Sequence, residues 1–187
     1  AGQQIGGHEI TLAHPVESVS WNRAREILHR LELELPTEAQ WEYACRAGTE
    51  TPWHVGRDHH LLQGHINIAD KTAHDRGMGW SQYLYWPEFD DGYATHAPVD
   101  AMRPNAFGLH CMGGNVWEYC RDWKLSYAKF PARPGDGFRD GSGSHRVMRG
   151  SALDQSYLQA RSAYRTSASP DSTGLNRGVR PSRALLR

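Results

Sequence analysis

The chain has 187 residues, enough for one domain with a substantial hydrophobic core. Its 21 basic and 21 acidic residues give a formal net charge of zero, which excludes a general attraction to polyanions or membrane surfaces. The sequence contains no apolar run long enough to span a bilayer. Its 19 glycines, 10 prolines and 7 tryptophans favour irregular segments pinned by aromatic side chains over a helical bundle.

Two helices are predicted in the first quarter of the chain. The first runs from Ser20 to Leu31, because Ser20 is a good N-cap and apolar side chains then recur at helical spacing. The second begins after Thr37, which can cap it, and Gln40 stands three residues later, as in a capping box. Gly48 is the expected end of this helix.

The middle of the chain, from Thr49 to Asn105, shows little periodicity and is rich in glycine, proline, histidine, aspartate and aromatic residues. Such a long irregular segment needs internal hydrogen bonds or a bound ion to stay ordered. Short strands are predicted further on, at Gly108–Met112, Val116–Asp122, Arg146–Gly150 and Gly178–Arg183. Neither a repeat nor a linker divides residues 1–187, so we expect a single domain.

The spacing of the cysteines and histidines gives no evidence of a transition-metal site. The three cysteines, Cys45, Cys111 and Cys120, match no zinc module, and reduced, partly buried thiols are expected. A disulfide between Cys111 and Cys120 is the alternative. Eleven histidines are present, but no pair has the helical spacing beside a glutamate that zinc hydrolases use. The histidines are therefore expected to be solvated or to pack within loops.

Several segments together resemble a known family. They read Leu-Pro-Thr-Glu-Ala-Gln-Trp-Glu-Tyr-Ala at residues 35–44, Gly-Asn-Val-Trp-Glu at 114–118, Arg-Val-Met-Arg-Gly-Ser at 146–151 and Arg-Ser-Ala-Tyr-Arg at 161–165. From His14 to Arg183 the chain resembles the formylglycine-generating enzymes, or sulfatase-modifying factors. This resemblance implies an α+β fold, a variant of the C-type lectin fold with much irregular structure. Only Ala1–Ala13 stand where the family has a strand hairpin and a first helix, so this part of the family domain is expected to be missing or truncated.

The resemblance also points to chemistry that this chain lacks. In catalytic members, two closely spaced cysteines after the Arg-Gly-Gly-Ser segment bind copper and exchange with the substrate thiol. Here residues 152–160 read Ala-Leu-Asp-Gln-Ser-Tyr-Leu-Gln-Ala, and no cysteine follows Cys120. No thiolate is available there to hold Cu(I) or attack a disulfide, so copper binding and formylglycine formation are not expected. No Ser-His-Asp order or nucleophile-elbow motif indicates a hydrolase, and no catalytic residue is assigned.

A structural calcium ion is the cofactor that the resemblance implies. Catalytic relatives hold it with an Asn-Ile pair and a later Asp-Gly-aromatic segment, which correspond here to Asn67, Ile68, Asp91 and Tyr93. The expected ligands are the side chains of Asn67 and Asp91 and the carbonyl groups of Ile68 and Tyr93, an oxygen set that suits a hard cation. The alternative is that Asp91 only caps a turn.

The family has a second calcium site, which is expected to be lost in this chain. Gly114, Val116 and Glu118 match its ligands, but the leading oxygen ligand falls on Cys111. A cysteine is a poor ligand for calcium, which prefers oxygen.

These features favour a non-catalytic domain that binds a ligand through its C-terminal surface. The expected ligand-facing residues are Ala152, Asp154, Gln155, Ser156, Tyr157, Gln159, Thr166, Ser167, Ser169, Ser172, Thr173, Leu175 and Asn176. Arg161 and Arg165 are expected to anchor the scaffold beneath them. The expected partner is a protein or another macromolecule and not a nucleic acid, because the chain has no basic excess with interleaved aromatic residues.

The C-terminal region also resembles the variable proteins of diversity-generating retroelements. Their fixed Arg-Ser-Ala-x-Arg and Pro-Asp motifs are matched at residues 161–165 and 170–171. Between them, Thr166–Ser169 and then Ser172–Asn176 hold residue types that adenine-directed mutation of Asn codons can reach, although Gln155 and Gln159 are not. Two other interpretations stay open: an oxidoreductase of the formylglycine-generating type, and a structural or regulatory module of a larger protein.

Overall fold

The computed structural model describes residues 3–5, 8–79 and 86–183. In chain order its elements are β1 (Gln3–Ile5), β2 (His8–Ile10), α1 (Trp21–Arg30), α2 (Glu38–Arg46), a 3-10 helix (His59–Leu62), α3 (Lys71–Asp75), β3 (Trp117–Trp123), β4 (Arg146–Arg149), β5 (Thr166–Ala168) and β6 (Arg177–Gly178). Short helices and strands thus alternate with long irregular segments. No helix within these ranges is both long and apolar enough to cross a membrane.

The main sheet is mixed and has the strand order β5-β4-β3-β6. β4 pairs antiparallel with both β3 and β5, whereas β6 runs parallel to β3. The predicted strands Val116–Asp122 and Arg146–Gly150 are confirmed to within one residue at each end. No pattern in the sequence predicts β5, because three small polar or apolar residues give no usable alternation.

Two strand predictions were wrong. Residues 108–112 form turns and irregular chain, in which Cys111 and Met112 are buried without strand pairing. Of the last predicted strand only the segment up to Gly178 joins the sheet, while Ser182 makes an isolated bridge with Glu34. A short apolar run buries its side chains equally well in a strand or in a loop, so its pattern cannot separate the two.

Both predicted helices begin at their expected caps. The Ser20 Oγ accepts a hydrogen bond from the N–H of Arg23. At the second helix, Thr37 Oγ1 accepts from the N–H of Gln40, and Gln40 Oε1 accepts from the N–H of Thr37. This helix ends with Ala47 in the left-handed conformation (φ 46°), one residue before the predicted Gly48.

The two helices pack on opposite faces of the main sheet. α1 shares a core cluster with Tyr119 and Met148, whereas α2 shares one with Cys120 and Val147. Since successive residues of a strand point to opposite faces, the sheet lies between the helices. This arrangement fixes the backbone from which the segment after β4 departs.

The segment 49–105 is largely irregular, as predicted, apart from the 3-10 helix and α3; residues 80–85 lie outside the described residues. It is organised around a separate apolar cluster that contains Leu62, Ile66, Ile68 and Phe89. At the N-terminus, β1 and β2 pair as an antiparallel hairpin, a short element that the sequence analysis did not expect. Residues 1–2, 6–7 and 184–187 also lie outside the described residues.

Candidate functional site

The segment that follows β4 starts with a sharp turn. Ser151 has a left-handed backbone (φ 74°) and is fully buried, and its Oγ has no hydrogen-bond partner within the part of the chain that the structure describes. Ala152 is also fully buried and belongs to the core cluster that contains Trp117 and Tyr119. The prediction that Ala152 faces a ligand was therefore wrong, because its methyl group is part of the core between α1 and the sheet.

Beyond this turn lies a cavity of about 540 Å³, called here the Asp154 cavity. Its polar lining comprises His14, Glu17, Thr95, His96, Asp154 and Asn176, and its apolar walls include Val16, Leu153 and Leu175. The Asn176 Nδ2 donates to Asp154 Oδ2 at 2.8 Å, and His96 Nε2 lies 2.7 Å from the carbonyl oxygen of Leu175. The first bond joins the segment after β4 to the segment before β6, and the second joins the segment before β6 to the irregular segment 49–105. Apolar walls with a few convergent polar groups are typical of ligand-binding cavities of this size.

Three of the residues predicted to face a ligand, Asp154, Leu175 and Asn176, line this cavity together. The others, Gln155, Ser156, Tyr157, Gln159, Thr166, Ser167, Ser169, Ser172 and Thr173, do not line it. Tyr157 instead stacks on His59, with ring centroids 4.8 Å apart, within the loop cluster. Since β5 and β6 are opposite edges of the sheet, the predicted residues do not form one continuous surface.

Four polar lining residues were not identified from the sequence: His14, Glu17, Thr95 and His96. They come from segments far from Asp154 in the chain, and no local motif marks them. The Oε2 of Glu17 and the Oγ1 of Thr95 are buried and have no hydrogen-bond partner among the described residues. These two side chains therefore retain hydrogen-bonding capacity at the wall of the cavity.

A second hollow, of about 580 Å³, lies between α1 and the loop around Cys111. The carboxylate of Glu118 at its wall accepts hydrogen bonds from the Arg180 guanidinium at 2.8–3.0 Å and from Trp41 Nε1 at 2.7 Å. Arg180 also donates to the carbonyl oxygen of His110 at 2.9 Å. Glu118, a residue of the second calcium site implied by the resemblance, thus already has a cationic partner from its own chain.

The residues of the first calcium site lie close together. Asp91 links their two segments, because its Oδ2 accepts from the N–H of Ile68 (3.0 Å) and its Oδ1 from the N–H of Tyr93 (2.8 Å). Asp70, which the sequence analysis missed, accepts from the N–H of Asp91 at 2.6 Å. Burial raises the pKa of Asp91 well above its usual range, and the neighbouring Asp70 carboxyl adds to this effect.

The donor set fits a hard cation. Asn67 is buried, and its Nδ2 donates to the carbonyl oxygen of Thr95, while its Oδ1 has no partner among the described residues. Within those residues, no lysine or arginine forms an ion pair with Asp70 or Asp91, although Lys71 pairs with Asp75 close by. Buried carboxylates without a counter-ion, next to an uncommitted amide oxygen, are the groups that calcium coordinates.

The three cysteines are free and buried. Burial raises the pKa of Cys45 and Cys111 to about 11 and raises the pKa of Cys120 well above its usual range. All three are therefore protonated at neutral pH. A protonated, buried thiol is neither a nucleophile nor a ligand for a soft metal.

A buried ionic network lies between α2 and the sheet, called here the Arg149 network (Glu38, Glu42, Arg149 and Arg165). Arg149 is fully buried and donates to Glu42 and to two backbone carbonyl oxygens, at 2.6 and 2.8 Å. Arg165 donates to Glu38 at 2.5 Å. Arg165 therefore anchors the scaffold as predicted, whereas Arg161 is exposed and donates to the carbonyl oxygen of Leu158.

Comparison with solved structures identifies the fold. The structure of PvdO from Pseudomonas aeruginosa superposes with a TM-score of 0.76 at 25% identity, covering 96% of this chain and 65% of that one. Treponema denticola variable protein 1 superposes with a TM-score of 0.65 at 22% identity, covering 90% and 70%. The second likeness shows the fold alone. The α+β, C-type-lectin-like fold of the formylglycine-generating type is thus confirmed.

Sequence comparison identifies the family. A family model described as the sulfatase-modifying factor enzyme 1-like domain matches residues 3–185. The formylglycine-generating enzyme of Streptomyces coelicolor is 35% identical over 184 residues, covering 89% of this chain and 52% of that protein. The inactive C-alpha-formylglycine-generating enzyme 2 of Bos taurus is 32% identical over 181 residues, covering 90% and 50%. The chain spans about half the length of these relatives, and it belongs to the sulfatase-modifying factor enzyme 1-like family.

Proposed function

We propose that this domain binds a ligand in the Asp154 cavity and does not form formylglycine. The observation that carries the proposal is the position of the cavity. It opens on the segment after β4, where the resemblance to catalytic members implies the copper-binding cysteines, and Asp154 and Asn176 stand there as a hydrogen-bonded pair. The site thus keeps a place for a ligand and offers polar recognition groups instead of thiols.

The state of the cysteines supports the non-catalytic part of the proposal. A copper-dependent thiol exchange needs two thiolates in an open cleft, whereas Cys45, Cys111 and Cys120 are buried and protonated. Similarity to a protein named as an inactive formylglycine-generating enzyme agrees with this interpretation, and similarity to active enzymes supports the oxidoreductase alternative.

The lining indicates the kind of ligand. Leu153, Leu175 and Val16 provide apolar contact, while Asp154 and His96 provide hydrogen-bonding groups. Leu175 is itself exposed at the rim, so a ligand that belongs to a larger molecule can reach it. We therefore propose that the partner is a protein or another macromolecule that inserts one side chain or a short segment.

Two measurements test this proposal. The copper-treated protein is incubated with a sulfatase-motif peptide and analysed for aldehyde by mass spectrometry, with a catalytic relative as positive control; no aldehyde is expected. A peptide library is then screened by ligand-observed NMR against the wild type and Leu175→Trp, a variant designed to fill the cavity, with Leu158→Trp as an exposed control. Hits that persist in Leu175→Trp would contradict the assignment of the cavity.

We also propose that one structural calcium ion is bound by Asn67 and Asp91 with the carbonyl groups of Ile68 and Tyr93, and that Asp70 supports the site. The ion would supply positive charge to buried carboxylates and join the segments before α3 and after it. Its expected effect is on stability, because none of these residues lines the Asp154 cavity.

Diversification of the binding surface is a second candidate property. Thr173 and Leu175 are exposed in the segment between β5 and β6, next to the Asp154 cavity. Such positions tolerate substitution because their side chains make few core contacts. Sequencing the gene from many isolates tests this idea: substitutions confined to adenine-containing codons at Thr166–Ser169 and Ser172–Asn176 support it, and evenly spread substitutions contradict it.

A further inference from the structure

A groove of about 600 Å³, separate from the Asp154 cavity, has charged lining residues that are mostly positive. Four arginines line it, Arg46, Arg57, Arg161 and Arg165, together with the single acidic residue Glu50. It is called here the arginine groove. The lining residues carry four positive charges and one negative charge, and two of the four arginines, Arg46 and Arg165, are paired with Glu42 and Glu38.

Two of these guanidinium groups are held in place. Arg46 donates to Glu42 at 2.9 Å from its Nε and to the carbonyl oxygen of Thr51 at 3.2 Å. Arg165 donates to Glu38 at 2.5 Å and, through Nη1, to a backbone carbonyl oxygen at 2.9 Å. These bonds commit the two groups to partners within the chain, so they form fixed walls of the groove.

The other two guanidinium groups have no carboxylate partner among the described residues. Arg57 is exposed and forms no ion pair there, and Arg161 uses its Nε on the carbonyl oxygen of Leu158. The nearest buried carboxylates, Glu38 and Glu42, already serve Arg149 as well as the two held arginines. Of the acidic side chains that line the groove or lie beneath it, only Glu50 remains for Arg57 and Arg161, and it forms no ion pair with either of them among the described residues.

The pKa of Lys124 is affected by the positive charge of Arg165, one of the arginines that line the groove. Its Nζ donates to the carbonyl oxygen of Arg165 at 3.0 Å. Its pKa is lowered to about 8, first by burial and then by the charge of Arg165. A nearby anion would offset the second of these effects.

We propose that the arginine groove binds a doubly charged tetrahedral oxyanion, a phosphate or sulfate group, with Arg57 and Arg161 as its direct ligands. A guanidinium presents paired N–H donors in a planar fork, which matches two oxygens of such an anion. A dianion carries enough charge to balance both free arginines, whereas a single carboxylate balances only one of them. The volume of the groove also leaves room for an organic group attached to a phosphate, because a phosphate monoester can still carry two negative charges.

The test is a titration of inorganic phosphate into isotopically labelled protein at constant ionic strength, followed through the arginine Nε–H resonances. The double variant Arg57→Gln/Arg161→Gln should weaken binding at least tenfold. Arg25→Gln/Arg30→Gln is the matched control, since it removes the same charge from exposed positions of α1. Its affinity should stay within twofold of the wild type.

Further arms define the source of the anion and separate this proposal from the previous one. Phenyl phosphate that binds at least as tightly as inorganic phosphate supports a phosphate ester as the ligand. Inorganic sulfate that binds at least as tightly as inorganic phosphate supports sulfate. Acetate should bind at least tenfold more weakly than inorganic phosphate. Leu175→Trp should leave phosphate binding unchanged, whatever becomes of the Asp154 cavity. Equal weakening in both double variants, or no saturable binding in the wild type, would overturn the proposal.

Discussion

The protein holds two groups of wholly or partly buried carboxylates, and they differ in whether a cationic side chain pairs with them. In the Arg149 network, Glu38 and Glu42 lie against guanidinium groups from β4 and from the segment before β5. In the loop region, Asp70 and Asp91 lie together, and both accept backbone N–H bonds, but no described lysine or arginine pairs with them.

The difference shows where the chain carries its own counter-charge. Helix α2 and the sheet are joined by ion pairs between side chains of the chain itself, so this half of the domain supplies cations for its own carboxylates. The loop half gathers negative charge that only a proton or a cation can offset, because a buried charge without a partner is costly. The stability of the loop half should therefore depend on protons and cations in solution, whereas the stability of the half around α2 should not.

The largest expected effect on stability follows from breaking the Arg149 network. Arg149→Met removes the fully buried cation of the network, so that Glu38 keeps only Arg165 and Glu42 keeps only Arg46 as an ionic partner. It should lower the free energy of unfolding by about 3 kcal/mol. Urea denaturation measures the change. Arg46→Met is the matched control, because Arg46 also pairs with Glu42 but is half-buried, and it should cost less than about 1 kcal/mol. Similar losses in the two variants would mean that burial of Arg149 does not set the cost.

The next effect concerns the proposed calcium site around Asp91. If calcium binds only the folded protein, free ion at a hundredfold excess over its dissociation constant stabilises the fold by about 2.7 kcal/mol. A chelator should therefore lower the melting temperature of the wild type but leave Asp91→Ala unchanged. Asp90→Ala, which removes an exposed neighbouring carboxylate, should keep the wild-type response. Equal chelator sensitivity in wild type and Asp91→Ala would refute the assignment.

A smaller effect comes from two half-buried histidines, His54 and His65, whose pKa values are lowered. His54 Nε2 lies 3.3 Å from His65 Nδ1, and the pKa of His54 is lowered to about 4, first by burial and then by His65. The unfolded chain therefore takes up this proton before the folded one. Stability is complete above about pH 6.5 and falls as the pH drops towards 4, by at most about 2 kcal/mol at pH 5.

Replacing His54 with glutamine should remove this loss. Unfolding of His54→Gln and wild type by urea at pH 7 and pH 5 measures it, and His29→Gln, an exposed change in α1, is the control. If His54→Gln lost as much stability between the two pH values as the wild type, the histidine pair would not be the cause.

Sequence patterns predicted the elements whose signals are local. The caps of α1 and α2 depend on residues three positions apart, and both helices begin where predicted. Three other features depend on contacts between distant segments. They are strand β5, the position of Asp70 beside Asp91, and the contribution of His96 to the Asp154 cavity. No window of sequence contains those partners, so periodicity could not reveal them.

The parallel strand β6 has a consequence for synthesis of the protein. It completes one edge of β3, and Arg180, two residues beyond it, pairs with Glu118 across 62 positions of sequence. On the ribosome, β3 must therefore wait for some sixty more residues before its edge and its carboxylate are covered. Such long-range closure makes folding slow. We expect the nascent chain to expose an aggregation-prone strand during this interval and to depend on a chaperone until β6 has emerged.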